Sequence, residues 1–397
     1  MTPLVLTTFT AVNALGRGIA AITEALVGAR SGLQPCRFEN VRIETYTGEV
    51  AGLDDMTVCE RLAEFDCRNN RLAELALEQD GFAAAIGAAR AKYGSQRIAV
   101  ILGTSTSGIL ETEHAYRQRD AQTGALPASY RLATTHSLYA GADFVRRYLD
   151  LDGPAVMLST ACSSSAKVFA SAWRMISQGL CDAAVVGGVD SLCCNTLYGF
   201  ASLGLVGRDP CRPCDAQRAG ISIGEAAGFA LLERPERAAS HSGVALLGYG
   251  ESSDAYHMST PHPEGEGAAL AMRRALACAA LEPSAIDYIN MHGTASLVND
   301  SMEDKAISSV FGTQTPASST KGWTGHALGA AGITEAVIAA LCIQKGFMPG
   351  CLNTRELDPG LTSKILLTNR QANVQRVLSN SFGFGGSNCS LIFGAHA

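Results

Sequence analysis

Short apolar runs that stop at glycine and hand over to a helical stretch recur along the whole chain, and this rhythm limits the folds open to it. Residues 96–102 (QRIAVIL) end in Gly103-Thr-Ser-Thr-Ser-Gly108, and 182–189 (DAAVVGGV) has the same make-up. The order strand, turn, helix returns at 154–179, 284–311 and 316–346. Parallel strands covered on both faces read as continuous apolar runs, and their alternation with helices predicts an α/β protein with central sheets. Residues 3–8 predict one more strand, followed by a turn at 13–16 and a helix over 17–29. Residues 57–90 carry one long helical pattern through Leu62, Phe65, Leu72, Leu75 and Leu77. The stretch 228–248 reads as a seam: a strand, then Pro235 with charged and small residues, then a second strand, and no flexible linker. Two halves, 1–240 and 241–397, are expected to share one compact body.

Composition narrows the function classes. With 47% hydrophobic and 17% charged residues in 397, the chain has the material for a thick core and is not of the disordered type. Its net charge of −6 offers no basic excess for nucleic acid. The odd number of cysteines, thirteen, and a start without a secretory pattern predict a reducing cytoplasmic setting. Cys193-Cys194 and the Cys211-Arg-Pro-Cys214 pair lack a second pair at zinc spacing, so they read as structural and no metal site is expected. No run of about 18 uninterrupted apolar residues occurs, so no membrane span is expected.

Four segments carry chemistry. In Ala155-Val-Met-Leu-Ser-Thr-Ala-Cys162-Ser-Ser-Ser, a strand stops and a helix begins at or just after Cys162. A thiol there meets the positive end of the helix dipole, which favours thiolate. In Asp287-Tyr-Ile-Asn-Met-His292-Gly-Thr294-Ala-Ser296, a strand delivers an imidazole to a loop with hydroxyls beside it. In Lys321-Gly-Trp-Thr-Gly-His326-Ala-Leu-Gly, a second histidine precedes a Gly/Ala-rich helix that carries Glu335. Finally, Ser381-Phe382-Gly-Phe384-Gly-Gly386 is a glycine turn whose free N–H groups suit an oxyanion; no GK[ST] follows to make it a phosphate loop.

In this order and spacing the four segments resemble the β-ketoacyl-[acyl-carrier-protein] synthases, the condensing enzymes of fatty acid and polyketide synthesis. Pro213-Cys-Asp-Ala-Gln-Arg218-Ala-Gly220 and Gly224-Glu225 are similar to a further segment of that family. The resemblance implies a thiolase-like fold, with two similar halves that each hold a five-stranded mixed sheet, stacked in five αβαβα layers. It implies decarboxylative condensation of malonyl-carrier protein with an acyl group held as a thioester on Cys162, giving a 3-oxoacyl product. His292 and His326 then assist decarboxylation, Lys321 orients them and Glu335 supports Lys321. Thr294 and Ser296 grip the phosphopantetheine arm, and the N–H groups of Cys162 and Phe384 form the oxyanion hole. Phe200, Phe382, Ser107 and Gly108 fall where the family bounds its substrate channel. No permanently bound cofactor is implied; the partners are an acyl carrier protein and either a second copy or a chain-length-factor-like subunit.

This chain departs from the pattern at Cys214, where the family has Phe, and at Ser296, where it has a second Thr. Residues 220–227 lean toward a specialised polyene or polyketide pathway. Arg61, Arg68, Arg71, Arg117 and Arg119 are candidates for the basic patch that an acidic carrier protein needs. A non-catalytic chain-length-factor type of subunit would lack the nucleophile. A Cys–His hydrolase gives no reason for a second histidine or for Lys321, and a dehydrogenase would need a GxGxxG after the first strand.

Overall fold

The computed structural model describes residues 1–238 and 242–396, so the expected division at 240/241 lies outside the described residues. Ten strands form its frame: β1 (Leu4–Asn13), β2 (Ile98–Gly103), β3 (Ala155–Leu158), β4 (Ala183–Asp190) and β5 (Ala226–Glu233), then β6 (Val244–Ser253), β7 (Tyr288–Asn290), β8 (Pro316–Ser318), β9 (Arg376–Gly383) and β10 (Ser387–Ala395). The first five lie in the order β3-β2-β4-β5-β1 and the second five in the order β8-β7-β9-β10-β6. In each set the first three strands are mutually parallel and the last two joins are antiparallel. The two halves therefore share one wiring.

Two details differ from a pair of separate five-stranded sheets. Leu4 pairs with Leu246 and Val5 with Ala245, which joins the two sheets edge to edge into one ladder. A short strand, Lys364–Ile365, also extends the second sheet beyond β8.

Period-2 alternation sorts side chains between layers. In β2, Ala99 and Ile101 face a central core, whereas Ile98, Val100 and Leu102 face an outer one. The outer layer on the first sheet is built from α1 (Arg68–Leu77) and α2 (Leu138–Tyr148). The central layer holds α3 (Ser164–Ser177) and α6 (Ala331–Lys345), and the second sheet is covered by α4 (Glu266–Ala279) and α5 (Leu297–Phe311). Residues Leu328–Lys345 are long and apolar enough to cross a membrane by composition, yet 83% of that stretch is buried between the sheets. All thirteen cysteines are free thiols.

The single long helix expected over 57–90 is instead a 3₁₀ turn (Glu60–Phe65), α1, and a separate helix Phe82–Tyr93. Asp80 and Gly81 take φ of +54° and +69°, a left-handed pair that ends one helix and turns the chain into the next.

Glycines bring the central helices against the sheets. A Cβ on Gly103 would lie 2.4 Å from the Ser165 nitrogen, one on Gly188 2.5 Å from the Ser165 Cβ, and one on Gly332 2.4 Å from the Ala166 nitrogen. This packing lets β3 and α3 present Cys162, and β8 and α6 present His326, from the same connection in the two halves.

Candidate active site

Cys162 sits in the turn between β3 and α3, two residues before the helix begins. Ala161 before it takes a φ of +52°, which turns the chain sharply at Cys162. The thiol is 5% exposed, and its sulfur lies 3.0 Å from His326 Nε2. The His292 and His326 rings meet edge-on, with centroids 5.3 Å apart and planes at 82°. One ligand atom from each of Cys162, His292 and His326 falls within 4.8 Å of the others. The three sequence motifs thus converge on one point.

Lys321 fixes the histidine geometry. Its ammonium donates to Glu335 Oε1 at 2.5 Å, to the His292 carbonyl at 2.5 Å and to His292 Nδ1 at 3.3 Å, which uses all three of its protons. Because Nδ1 accepts from Lys321, the His292 proton resides on Nε2. That assignment makes the Nε2 face a hydrogen-bond donor and removes the lone pair a metal ion would need. His326 differs: its Nδ1 has no hydrogen-bond partner among the described residues, so its tautomer is not pinned.

Burial sets the charge states. It pushes His292 well below the usual imidazole value, helped by the charge of Lys321 and by His326, and it pushes His326 down with help from Lys321. Both rings are therefore neutral near pH 7. Burial also raises the Cys162 thiol to about 12, against the lowering pull of the Lys321 charge and of the Phe384 backbone N–H. The expectation that a thiolate is favoured here is corrected: desolvation outweighs the pull of Lys321, and the resting group is a thiol beside His326.

A cavity of about 130 Å³ opens over the sulfur, lined by Phe200, Ile221, Thr294, Ser296, Phe382 and Phe384 among others. The Phe200 and Phe384 rings lie 5.5 Å apart and close one side of it, and Phe382 stands 5.9 Å from the His292 ring. The Thr294 and Ser296 hydroxyls are 3.0 Å apart, and Ser296 also caps α5 by accepting from the Asn299 N–H. The structure places Ser107 and Gly108 outside this cavity. The Ser107 hydroxyl shares its one proton between the Thr135 and Ser137 carbonyls, and the Gly108 N–H donates to the Thr135 carbonyl.

Several supporting residues escaped the sequence reading. Buried Asp190, at the end of β4, accepts from the hydroxyls of Thr104, Ser105 and Thr106 and from the Gly329 N–H, and so ties the loop after β2 to the start of α6. A carboxylate that closes an apolar strand was a legible signal for it. Glu303 accepts from the His292 and Gly293 N–H groups at 2.8 and 2.7 Å, and burial pushes its carboxyl up to about 7. Nothing in the helical pattern of 297–311 distinguished that glutamate from a solvent-facing one.

Of the basic-patch candidates only Arg68 is withdrawn into the core, and that expectation is corrected; Arg61, Arg117 and Arg119 are exposed and Arg71 is half-buried. Arg68 is 2% exposed and grips Glu225 through two hydrogen bonds of 2.9 and 2.7 Å beneath Phe38. Arg71 pairs with Asp66, Arg61 with Asp150, and Arg117 with Glu39.

Residues 3–238 match the β-ketoacyl synthase N-terminal domain, and residues 244–355 match its C-terminal domain. The chain belongs to the β-ketoacyl synthase family. A 3-oxoacyl-[acyl-carrier-protein] synthase 2 of Vibrio harveyi is 30% identical over 96% of both chains. A ketosynthase solved in complex with its chain length factor, from Xenorhabdus doucetiae, superposes with a TM-score of 0.89 at 38% identity, covering 100% of this chain and 98% of that one. The ishigamide ketosynthase/chain length factor superposes equally well (TM-score 0.89) at 28% identity, with full coverage of both chains. The fold is thiolase-like, and the chain is an acyl-transferring condensing enzyme of the β-ketoacyl-[acyl-carrier-protein] synthase type.

Proposed function

We propose that Cys162 carries the growing acyl chain, and that His292 and His326 drive decarboxylation of a malonyl thioester beside it. In the first half-reaction His326 Nε2 takes the Cys162 proton as the sulfur attacks the carbonyl of an acyl-pantetheine thioester. The pantetheine sulfur leaves and regains a proton. A thioester accepts this exchange in both directions, which is why the nucleophile is sulfur. In the second half-reaction the malonyl thioester oxygen receives hydrogen bonds from the two imidazoles. The bond to its carboxylate breaks, carbon dioxide departs, and the electron pair becomes an enolate. The enolate carbon attacks the Cys162 thioester, and the resulting oxyanion lies against the N–H groups of Cys162 and Phe384. Collapse expels the Cys162 sulfur and gives a 3-oxoacyl product longer by two carbons.

The unpinned His326 tautomer suits this sequence, because the ring accepts a proton from sulfur in one half and donates to oxygen in the other. The pinned His292 needs only to donate. Thr294 and Ser296 hold the arm, Phe384 gates the malonyl side against Phe200, and Glu335 holds Lys321. The observation that carries the reading is the approach of the Cys162 sulfur to His326 Nε2 at 3.0 Å, with His292 set by Lys321 alongside.

The carrier of both substrates is an acyl carrier protein with its phosphopantetheine arm, and the working unit is a dimer with a second copy or a chain-length-factor subunit. The free cysteines support a reducing, cytoplasmic setting. Intact-mass analysis after incubation with a panel of acyl-carrier-protein thioesters tests the reading. A mass gain equal to one acyl group, absent in Cys162→Ala, is expected; acylation that persists in that variant would contradict it.

A further inference from the structure

We propose that Cys162, His292 and His326 make a three-ligand site for a thiophilic divalent cation such as zinc, and that the hydrogen bond from Lys321 to His292 holds that site closed. Lys321 then guards the Cys162 sulfur against metal capture, besides orienting the ring. The inference rests on the geometry of the site and not on the reaction proposed for it. One sulfur and two imidazoles are a donor set that suits zinc. The Cys162 sulfur and His326 Nε2 are 3.0 Å apart, and a ligand atom of His292 lies within 4.8 Å of its counterparts on both. Ligand atoms around a tetrahedral zinc stand about 3.4–3.6 Å apart, so side-chain rotations of about 1 Å would gather the three. Among the described residues no other three His, Cys, Asp or Glu side chains meet in this way. The cavity of about 130 Å³ over the sulfur has room for a water as the fourth ligand.

Capture replaces a proton by the metal and changes no oxidation state. The Cys162 S–H bond ionises, its proton leaves to solvent, and a sulfur–metal bond forms. His326 offers no obstacle. Its Nδ1 has no hydrogen-bond partner among the described residues, so that nitrogen can carry the ring proton and leave the Nε2 lone pair to the metal. His292 is different. Lys321 Nζ lies 3.3 Å from its Nδ1, and an ammonium only donates, so the lone pair is on Nδ1 and the proton on Nε2, the one nitrogen left to meet a metal. To bind, the ring must move its proton to Nδ1, where two donors would then oppose each other. Lys321 cannot turn aside to relieve that contact, because its other two protons are held by Glu335 Oε1 and the His292 carbonyl. At 1% exposure it is also shielded from the solvent that could replace a lost partner. A buried ammonium repels a second cation brought this near as well. With Lys321 in place the metal finds two ligands; without it, three.

Cobalt(II) is the probe, because a cysteine sulfur bound to it gives a near-ultraviolet charge-transfer band, and zinc is then added to displace it. The band counted is the part that Cys162→Ala removes, which sets aside the other cysteines of the chain. Lys321→Met is expected to bind one cobalt with that band, about 10- to 100-fold tighter than wild type, the range by which groups behind a metal ligand set its affinity. The gain should vanish in the double variant Lys321→Met/His292→Ala. Equal affinity of wild type and Lys321→Met overturns the proposal, and so does a gain that survives the loss of His292. A further comparison leaves Lys321 untouched. His292→Ala alone should keep the cobalt affinity of the wild-type protein within about twofold, because the ring is not a ligand while Lys321 holds it. A larger loss would show that His292 binds metal beside Lys321, and would overturn the proposal whether or not Lys321→Met folds. None of these readouts involves acyl transfer, so the condensing-enzyme reading stands or falls separately.

Discussion

Lys321 has three protons and three acceptors, and that match explains how the site can hold a cation beside two histidines without charging them. Replacing it by methionine keeps the volume and removes the donor to His292 Nδ1, so the His292 proton is free to move to the wrong nitrogen. Lys321→Met should slow malonyl decarboxylation by about 100- to 1000-fold, the usual cost of losing one preorganised donor, while acylation of Cys162 through His326 falls much less. The ratio of the two half-reactions in single-turnover assays checks this. The buried rings also predict a pH profile. Both histidines titrate well below their usual value, so decarboxylation should stay level from pH 8 through pH 6 and show no fall near 6.5. The Cys162 thiol, pushed up to about 12, should give an iodoacetamide alkylation rate that climbs with pH through 9 without a plateau. A plateau below pH 8 would mean a stabilised thiolate. The identities of Cys162, His292, Lys321 and His326 were legible because each sits where an apolar run gives way to a glycine-rich turn. Their protonation was not, because desolvation depends on residues far away in sequence that close over the sulfur.

At the scale of elements, the apolar runs that became β2, β3 and β4 were legible because a strand buried on both faces leaves an unbroken signature. The break inside 57–90 was masked, although Asp80-Gly81 marks it, because leucine periodicity runs on across the turn. The hydrogen bonding of Ser107 was equally hidden, since its partners Thr135 and Ser137 lie in a loop with no pattern of its own. Contact between the two central helices is the element-level feature on which the site depends. A Cβ at Gly332 would meet the Ala166 nitrogen at 2.4 Å and the Ala166 Cβ at 2.8 Å. Gly332→Ala should therefore push α6 away from α3, costing about 1–3 kcal/mol in chemical denaturation as an overpacked core does. It should also lower Cys162 acylation, because His326 and Cys162 ride on the two displaced elements. Unchanged stability together with unchanged acylation would show that the helices have slack.

Across the whole molecule, the same strand order occurs twice, yet no repeat stands out in the sequence. What recurs is wiring, which any suitable set of apolar runs satisfies. The apolar runs that became β5 and β6 were legible as strands, whereas the edge pairing of β1 with β6 that joins the sheets was not. Arg68 shows how the global fold overrules a local reading. In sequence it is one of several surface-like arginines, but the fold buries it against Glu225, which also accepts from the Val50 and Leu192 N–H groups. Arg68→Ala would leave that carboxylate buried and unpaired, and should cost about 3–5 kcal/mol of unfolding free energy. A loss below about 1 kcal/mol would return Arg68 to the surface.

In the proposed reaction the labour is divided: sulfur carries the acyl chain while the paired imidazoles break the carbon–carbon bond. Carbon dioxide release from malonyl-carrier protein, measured for Cys162→Ala and for His292→Ala, tests it most directly. Release should persist in Cys162→Ala, with condensation abolished, and should collapse in His292→Ala; loss in the cysteine variant together with survival in the histidine variant would contradict the account.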